Sequence, residues 1–146
     1  MALFDKGAVG EDRFLTQIGT LSGNPVAATA GLKCLEILRR PGAYEQVFAT
    51  GGAMMEGLSG MLREAGVAGQ VIGCPVMFDV IFATGEVTDY RATLRADAAM
   101  GRRFNAAVRA HGVLKSDGKC YVGLCHTEAD VADALGAFRA GVGAVG

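Results

Sequence analysis

The sequence predicts an α+β domain in which helices cover one face of a small, largely antiparallel sheet. Apolar residues repeat with helical spacing in four segments, and short β-branched and aromatic runs occur in two pairs. The predicted order of elements is α-α-β-β-α-β-β-α, not a strict alternation of strands and helices. Hairpins combined with runs of helices favour this layered arrangement.

Composition and charge narrow the class of protein. The chain has 146 residues, 51% hydrophobic and 20% charged, which suits one domain or part of one. Its 14 basic and 15 acidic side chains give a net charge of −1, which argues against a nucleic-acid surface. No apolar run is long enough to span a membrane, and no signal pattern opens the chain. We therefore expect a cytoplasmic protein that binds neither nucleic acid nor membrane.

The cysteines and histidines predict no metal site. Cys34, Cys74, Cys120 and Cys125 form no C-x-x-C pair, and the two histidines complete no zinc pattern. We expect four reduced thiols, most of them buried.

The first 18 residues are poorly patterned. Met1 to Phe4 resemble the end of a helix, and Asp5 to Asp12 resemble a polar loop. Such a segment is not expected to fold unaided, so we expect the chain to begin within a larger fold.

The stretch Gly-Thr-Leu-Ser-Gly-Asn-Pro, residues 19–25, is the first strong motif. Asn24 suits the N-cap of a helix and Pro25 its first position, where a missing N–H costs nothing. Such a loop brings backbone N–H groups and a hydroxyl, from Thr20 or Ser22, near a helix start, where anions bind. From spacing alone two interpretations remain open, an anion site and a plain Gly-rich connection to a capped helix.

Two helices are predicted after this loop. The first runs from Val26 to Arg40 with a broad apolar face, and Pro41 stops it. The second runs from about Ala43 to Ala65 and ends at Gly66. Its inward residues are predicted to be Val47, Met54, Leu58, Met61 and Leu62, and Gly51, Gly52 and Gly57 indicate a close neighbour.

A strand pair and a third helix follow. Val71 to Gly73 and Val76 to Ala83 read as strands, and Val76, Phe78, Val80 and Phe82 share one face of the second. Ala92 to Ala110 is predicted as one helix closed by Gly112. Its apolar side is predicted to comprise Leu94, Ala98, Phe104, Ala107 and Val108.

The last predicted elements are a hairpin and a helix. Val113 to Ser116 and Cys120 to Leu124 are predicted strands around the turn Asp117-Gly118. Lys115 and Lys119 flank that turn, either as solvated lysines or as contacts to a substrate carboxylate. The final helix is predicted to start at Thr127 with Glu128 and Asp130 in a variant capping box.

Three pieces of the sequence, in order, resemble the C-terminal part of the class III aminotransferases, which are pyridoxal-phosphate enzymes of fold type I, nearest the glutamate-1-semialdehyde aminomutase branch. The first is the 19–25 motif with its helix, and the second is the strand pair Val71 to Ala83. The third is Cys125-His126-Thr127-Glu128-Ala129-Asp130, which resembles the Ala-His-Thr-Glu-Glu-Asp run that opens the family's final helix. The resemblance covers about residues 16–140.

The resemblance implies a homodimer with active sites at the subunit interface, acting on a small amino-acid or keto substrate. Thr20 would donate its hydroxyl to the phosphate of the pyridoxal phosphate held mainly by the other subunit, with backbone help from Gly19. Ser22, Asn24, Lys115 and Lys119 would lie on the substrate side. Residues 1–24 would be a remnant of the large cofactor domain, and residues 25–146 the connecting helix and small C-terminal domain.

Two departures from the family's pattern matter for function. The family's Schiff-base lysine, pyridine-pairing Asp and main phosphate loop lie farther upstream than this chain extends, and none of Lys6, Lys33, Lys115 and Lys119 matches the lysine's context. In the aminomutase branch a Glu stands near the substrate about where Gly118 falls. That second departure leaves room for an ordinary transaminase.

The sequence thus predicts the C-terminal portion of a pyridoxal-phosphate aminotransferase or aminomutase, inactive alone because it lacks the lysine. The alternative is a free-standing, non-catalytic α+β domain that binds a partner or a small anion.

Overall fold

The computed structural model describes residues 2–16 and 19–146. By contacts the chain divides into two compact units, one up to Arg40 and one from Pro41 to Gly146. The division between residues 24 and 25, which the resemblance implies for the large and small domains, stays a prediction. Within the described ranges, no helix combines the length and the apolar character needed to cross a membrane.

The first unit contains short helices and one long one. Helix α1 is Lys6–Val9, between the 3₁₀ turns Ala2–Phe4 and Glu11–Arg13, and helix α2 is Pro25–Leu38. The predicted start of α2 is confirmed, because the Asn24 side chain accepts from the backbone N–H groups of Val26 and Ala27. No residue of α2 is buried, and Leu32 and Leu35 are exposed. The apolar face predicted for this helix is therefore uncovered in this chain.

Helix α3, Ala43–Glu64, matches its prediction closely. All five residues expected to face inward are buried, and Gly66 follows the helix with a positive φ of 66°. A side chain at Gly51 would overlap the backbone of Pro75, and one at Gly57 would overlap Leu135. Gly52 faces open space. The prediction of a close neighbour is therefore confirmed at two of these three glycines.

The sheet has three antiparallel strands in the order β1-β2-β3: β1 is Gln70–Cys74, β2 is Met77–Ile81 and β3 is Cys120–Tyr121. Val71 pairs with Val80, and Phe78 pairs with both Gly73 and Cys120. Phe78, Val80 and Phe82 are buried in one core with residues of three helices, as the alternation predicted, whereas Val76, expected on the same face, lies before β2 and is only half-buried. The predicted α+β class, with a small antiparallel sheet, is confirmed.

The centre of this core is aromatic. The ring of Phe104 lies 5.5 Å from that of Phe82 and 6.3 Å from that of Phe138, between centroids. Helix α5, Ala98–Ala110, supplies Phe104, and helix α6, Glu128–Gly143, supplies Phe138. At Gly141 of α6 a Cβ atom would lie 2.7 Å from the Phe104 ring, so the glycine lets the two helices approach.

The predicted helix from Ala92 to Ala110 is wrong as a single element. The structure has helix α4, Tyr90–Thr93, then a turn, then α5. Asp97 causes the break: its side chain caps α5 at the N–H groups of Ala99 and Met100, and its own N–H donates to the Phe82 carbonyl at 2.7 Å. Leu94, predicted to be inward, is 68% exposed.

The predicted hairpin around Asp117-Gly118 is also wrong. Val113–Ser116 forms no strand, and the strand predicted from Cys120 to Leu124 is limited to β3. Polar side chains hold the loop carbonyls in place of a strand partner, as described below.

The prediction for the cysteines is half right. All four are free, but Cys34, Cys74 and Cys125 are exposed and Cys120 is partly buried. Burial raises the pKa of the Cys120 thiol.

The two adjacent glycines of α3 give a matched pair of variants. Gly51→Ala should lower the free energy of unfolding by about 1–3 kcal/mol, because the added methyl group meets the Pro75 backbone. Gly52→Ala should raise it by about 0.5–1 kcal/mol, since open space surrounds a helical position. Urea unfolding of both variants measures the difference. Equal effects would contradict the contact between α3 and the β1–β2 turn.

Candidate functional site

Residues 19–24 form a tight turn directly before α2. The Ser22 N–H donates to the Gly19 carbonyl at 3.0 Å, and the Asn24 N–H donates to the Leu21 carbonyl at 3.1 Å. Gly23 has a φ of 77°, which favours glycine, and a side chain at Gly19 would overlap the Ser22 hydroxyl. The glycines at both ends therefore make this compact turn possible.

The polar side chains of the turn differ in availability. Asn24 Oδ1 is committed to the helix cap, at 2.9 Å from the Val26 nitrogen and 3.2 Å from the Ala27 nitrogen. Thr20 is exposed, and no hydrogen-bond partner for its hydroxyl lies among the described residues. Ser22 is exposed as well. Thr20 and Gly19 thus lie in the turn before the N-terminus of α2, where the positive end of the helix dipole favours a nearby anion.

The second group of predicted site residues lies in the loop Lys115–Lys119 of the other unit. Lys115 is buried, with its side chain 2% exposed. Its ammonium group donates to the carbonyls of Ser116, at 3.1 Å, and Gly118, and lies 3.9 Å from Asp79 Oδ1. Lys119 is exposed, and its ammonium group has no partner within the part of the chain that the structure describes. The ammonium group of Lys115 is therefore bonded within the protein, whereas Lys119 is exposed to solvent.

Helix α5 holds the same loop from another side. Arg109 donates to the Lys115 carbonyl at 3.3 Å and to the Asp117 carboxylate at 2.7 Å. Asn105 Nδ2 donates to the Asp117 carbonyl at 3.0 Å, although Asn105 Oδ1 is buried and has no partner among the described residues. The hydrogen bond from Arg109, with its charge, lowers the pKa of Asp117.

A partly open cavity of about 450 Å³ lies beside the loop. Its apolar floor is formed by Met54, Ala134 and Phe138 from α3 and α6, and Lys119 and His126 are also among its lining residues. This volume is in the range of small-molecule sites. The described residues contain no cluster of three or more metal-ligating side chains.

The start of α6 confirms the predicted capping box. Thr127 and Asp130 bond each other's backbone N–H groups, at 3.3 and 2.7 Å. The hydrogen bonds from Thr127 lower the pKa of Asp130. His126 Nδ1 accepts from the Gly123 N–H at 3.0 Å, so the Cys-His-Thr run is a structural corner of the cavity.

Sequence reasoning missed Asp79, Asn105 and Arg109. Asp79 lies on the non-core face of β2, and Asn105 and Arg109 are one helical turn apart on α5. An Asn and an Arg at i and i+4 on a helix are ordinary surface residues. Their role depends on the loop at 115–119, which the sequence predicted as part of a hairpin.

With this geometry in view, comparison with known proteins defines the class. The chain superposes on a transaminase with bound pyridoxal phosphate, with a TM-score of 0.74 and 24% identity over 99% of this chain and 32% of that one. It also superposes on a β-phenylalanine aminotransferase from Variovorax paradoxus, with a TM-score of 0.78 and 25% identity over 98% of this chain and 33% of that one. In sequence and fold the chain corresponds to the C-terminal part of the class III, pyridoxal-phosphate-dependent transaminases.

A curated relative gives the closer sequence relationship expected from the motifs. Glutamate-1-semialdehyde 2,1-aminomutase of Thermomicrobium roseum is 33% identical over 126 residues, which are 84% of this chain and 29% of that protein. The chain therefore spans about a third of the length of the proteins it matches. No protein-family model matches the chain.

The Arg109–Asp117 ion pair predicts a pH dependence. Because the pKa of Asp117 is lowered in the folded state, its carboxylate stabilises the fold fully above the ordinary value of 3.8, and this contribution is lost as the pH falls through the lowered pKa. Asp117→Asn should therefore be less stable than the parent chain at neutral pH, with a difference that shrinks in acid. Urea unfolding from about pH 6 to about pH 2 measures it.

Asp133→Asn is the control for the loss of one exposed carboxylate. A difference between Asp117→Asn and the parent chain that stayed constant down to the lowest pH would contradict the ion pair.

Proposed function

We propose that this chain is the C-terminal portion of a pyridoxal-phosphate aminotransferase or aminomutase that works as a homodimer. The reaction moves an amino group between an amino acid and a carbonyl compound. One observation carries the proposal: in a chain 33% identical to an aminomutase, Thr20 lies in a glycine-bounded turn before a helix, and its hydroxyl has no partner among the described residues. That turn is the kind of structure that holds a phosphate.

The residues of the turn fit the phosphate of the cofactor. Thr20 supplies a hydroxyl donor, and the backbone at Gly19 adds to the polar surface. In the assembled enzyme they serve the cofactor held mainly by the partner subunit. Bound pyridoxal phosphate supplies the electron sink for the amino transfer, and the protein supplies orientation and electrostatics. Ser22 and the partly buried Asn24 lie beside Thr20, towards the substrate in this proposal.

The chain by itself is proposed to be inactive. Amino transfer requires a lysine that bonds the cofactor, and the four lysines here are otherwise placed. Lys33 pairs with Glu36 at 2.8 Å and Lys6 pairs with Glu11, while Lys115 is buried against carbonyls. Lys119 is exposed on a loop with no fixed partner among the described residues.

Gly118 stands about where the aminomutase branch that the chain resembles has a Glu, which leaves room for an ordinary transaminase. A carboxylate is absent at Gly118, and the neighbouring Asp117 is held by Arg109 at 2.7 Å. Asp117 therefore does not substitute for a substrate-side carboxylate.

A second candidate is a free-standing, non-catalytic α+β domain. The compact core of Pro41–Gly146 is the observation that favours it. It predicts a monomer that makes no use of the turn at residues 19–24. The cytoplasm is the proposed compartment in either case, in keeping with four free thiols.

Addition of pyridoxal phosphate should give the chain no lasting covalent adduct. We expect the absorption change from surface lysines to disappear on dilution, because no lysine is positioned for the cofactor. Borohydride treatment followed by peptide mass spectrometry measures any adduct. A single lysine of this chain that is labelled after dilution would overturn the proposal that the lysine lies elsewhere.

The uncovered face of α2 distinguishes the two candidates. As part of a larger dimeric enzyme, the chain should associate as its concentration rises, because Leu32 and Leu35 are exposed. The double variant Leu32→Gln/Leu35→Gln should shift the equilibrium towards the monomer in sedimentation analysis. Leu94→Gln removes a comparably exposed leucine from the other unit as the control. A parent chain that is monomeric at every concentration would favour the non-catalytic domain.

A further inference from the structure

We propose that Lys115 is a positioning residue that fixes the loop 116–119, so that Lys119 presents its ammonium group to a carboxylate whose apolar body lies in the adjacent cavity. From the sequence alone, Lys115 and Lys119 are equivalent candidates for a substrate contact. The structure divides these roles between them.

Side chains hold the backbone carbonyls of the loop. Four consecutive carbonyls, from Lys115 to Gly118, each accept a hydrogen bond from a side chain. Lys115 Nζ serves two of them, Ser116 and Gly118, and bends the loop around itself. Arg109 serves the first and Asn105 the third. A surface turn normally leaves such carbonyls to water, so this loop is held in one shape.

The loop is connected to the core through Lys115 and Asn105. Lys115 faces Asp79 of the central strand, and Asn105 directly follows Phe104 of the aromatic core on α5. Asn105 is itself buried, with 4% of its surface exposed. The loop therefore takes its position from β2 and α5, not from a strand partner of its own.

The charged side chains that line the cavity differ in whether they have partners. Lys115 is committed to carbonyls and Asp79, and Asp130 is committed to Thr127. Lys119 and, on α6, Asp133 line the cavity without a partner among residues 2–16 and 19–146. Lys119 follows directly after the clamped Gly118, so the clamp limits where its ammonium group reaches. An apolar floor with an ammonium group among its lining residues suits an aliphatic or aromatic carboxylate.

This inference deepens the proposed function, because the same loop is proposed to face the substrate. Its tests require neither cofactor nor catalysis, so their failure is separate from a failure of the cofactor test above.

Amide hydrogen exchange tests the positioning role. Lys115→Met should raise exchange at residues 116–119 by about tenfold or more, while exchange in α3 stays unchanged. Lys119→Met should change neither. Replacing the buried Lys115 could unfold the chain, so Asp117→Asn is a second variant. The Asp117 side chain is 70% exposed, and its replacement removes the ion pair through which Arg109 holds the loop. Unchanged exchange at 116–119 in both Lys115→Met and Asp117→Asn would overturn the positioning role.

Titration with sodium hexanoate, followed by the amide NMR signals of the loop, tests the ligand class. The concentration range should reach about 50 mM, which detects millimolar dissociation constants. Lys119→Met should weaken hexanoate about three- to fivefold and leave 1-hexanol unchanged. Lys115 also lines the cavity, but its ammonium is bonded to the Ser116 and Gly118 carbonyls, so Lys115→Met should weaken hexanoate through the loop, and Lys115→Arg should restore part of the affinity. Lys33→Met is the control for lost charge.

Two results would overturn the ligand class. One is hexanoate binding no more strongly than 1-hexanol to the parent chain. The other is preferential binding of hexylamine, which would make Asp133 the anchor instead of Lys119.

Discussion

The contact of Phe104 with Phe82 and Phe138 is the interaction on which the second unit depends. It joins the sheet to α5 and α6, and all three rings are at most 2% exposed. Gly141 makes the contact possible because a side chain at that position of α6 would overlap the Phe104 ring. Burial of these rings supplies much of the hydrophobic stabilisation of a small core.

The same contact places the polar groups that organise the loop before β3. Asn105 is the neighbour of Phe104, and Arg109 lies one turn further along α5. Asp79 alternates with the buried Phe78 and Val80 on β2, so it points away from the core towards Lys115. Packing on one side of each element thereby determines which side chains reach the loop carbonyls.

Each of the two units carries its own candidate contact residue. The turn at residues 19–24, in the first unit, exposes Thr20, and the loop at 115–119, in the second unit, exposes Lys119. The chain spans about a third of the length of the relatives it matches.

The sequence by itself determined what local chemistry controls. The caps at Asn24 and Thr127, the stop at Gly66 and the inner face of β2 are all confirmed, because each depends on residues within a few positions. Tertiary structure decided the rest. Lys115 is buried beside Asp79 of β2, and side chains of α5 bond the loop carbonyls that the predicted hairpin would have paired. The break at Asp97 arises from the Phe82 carbonyl, 15 residues away in sequence.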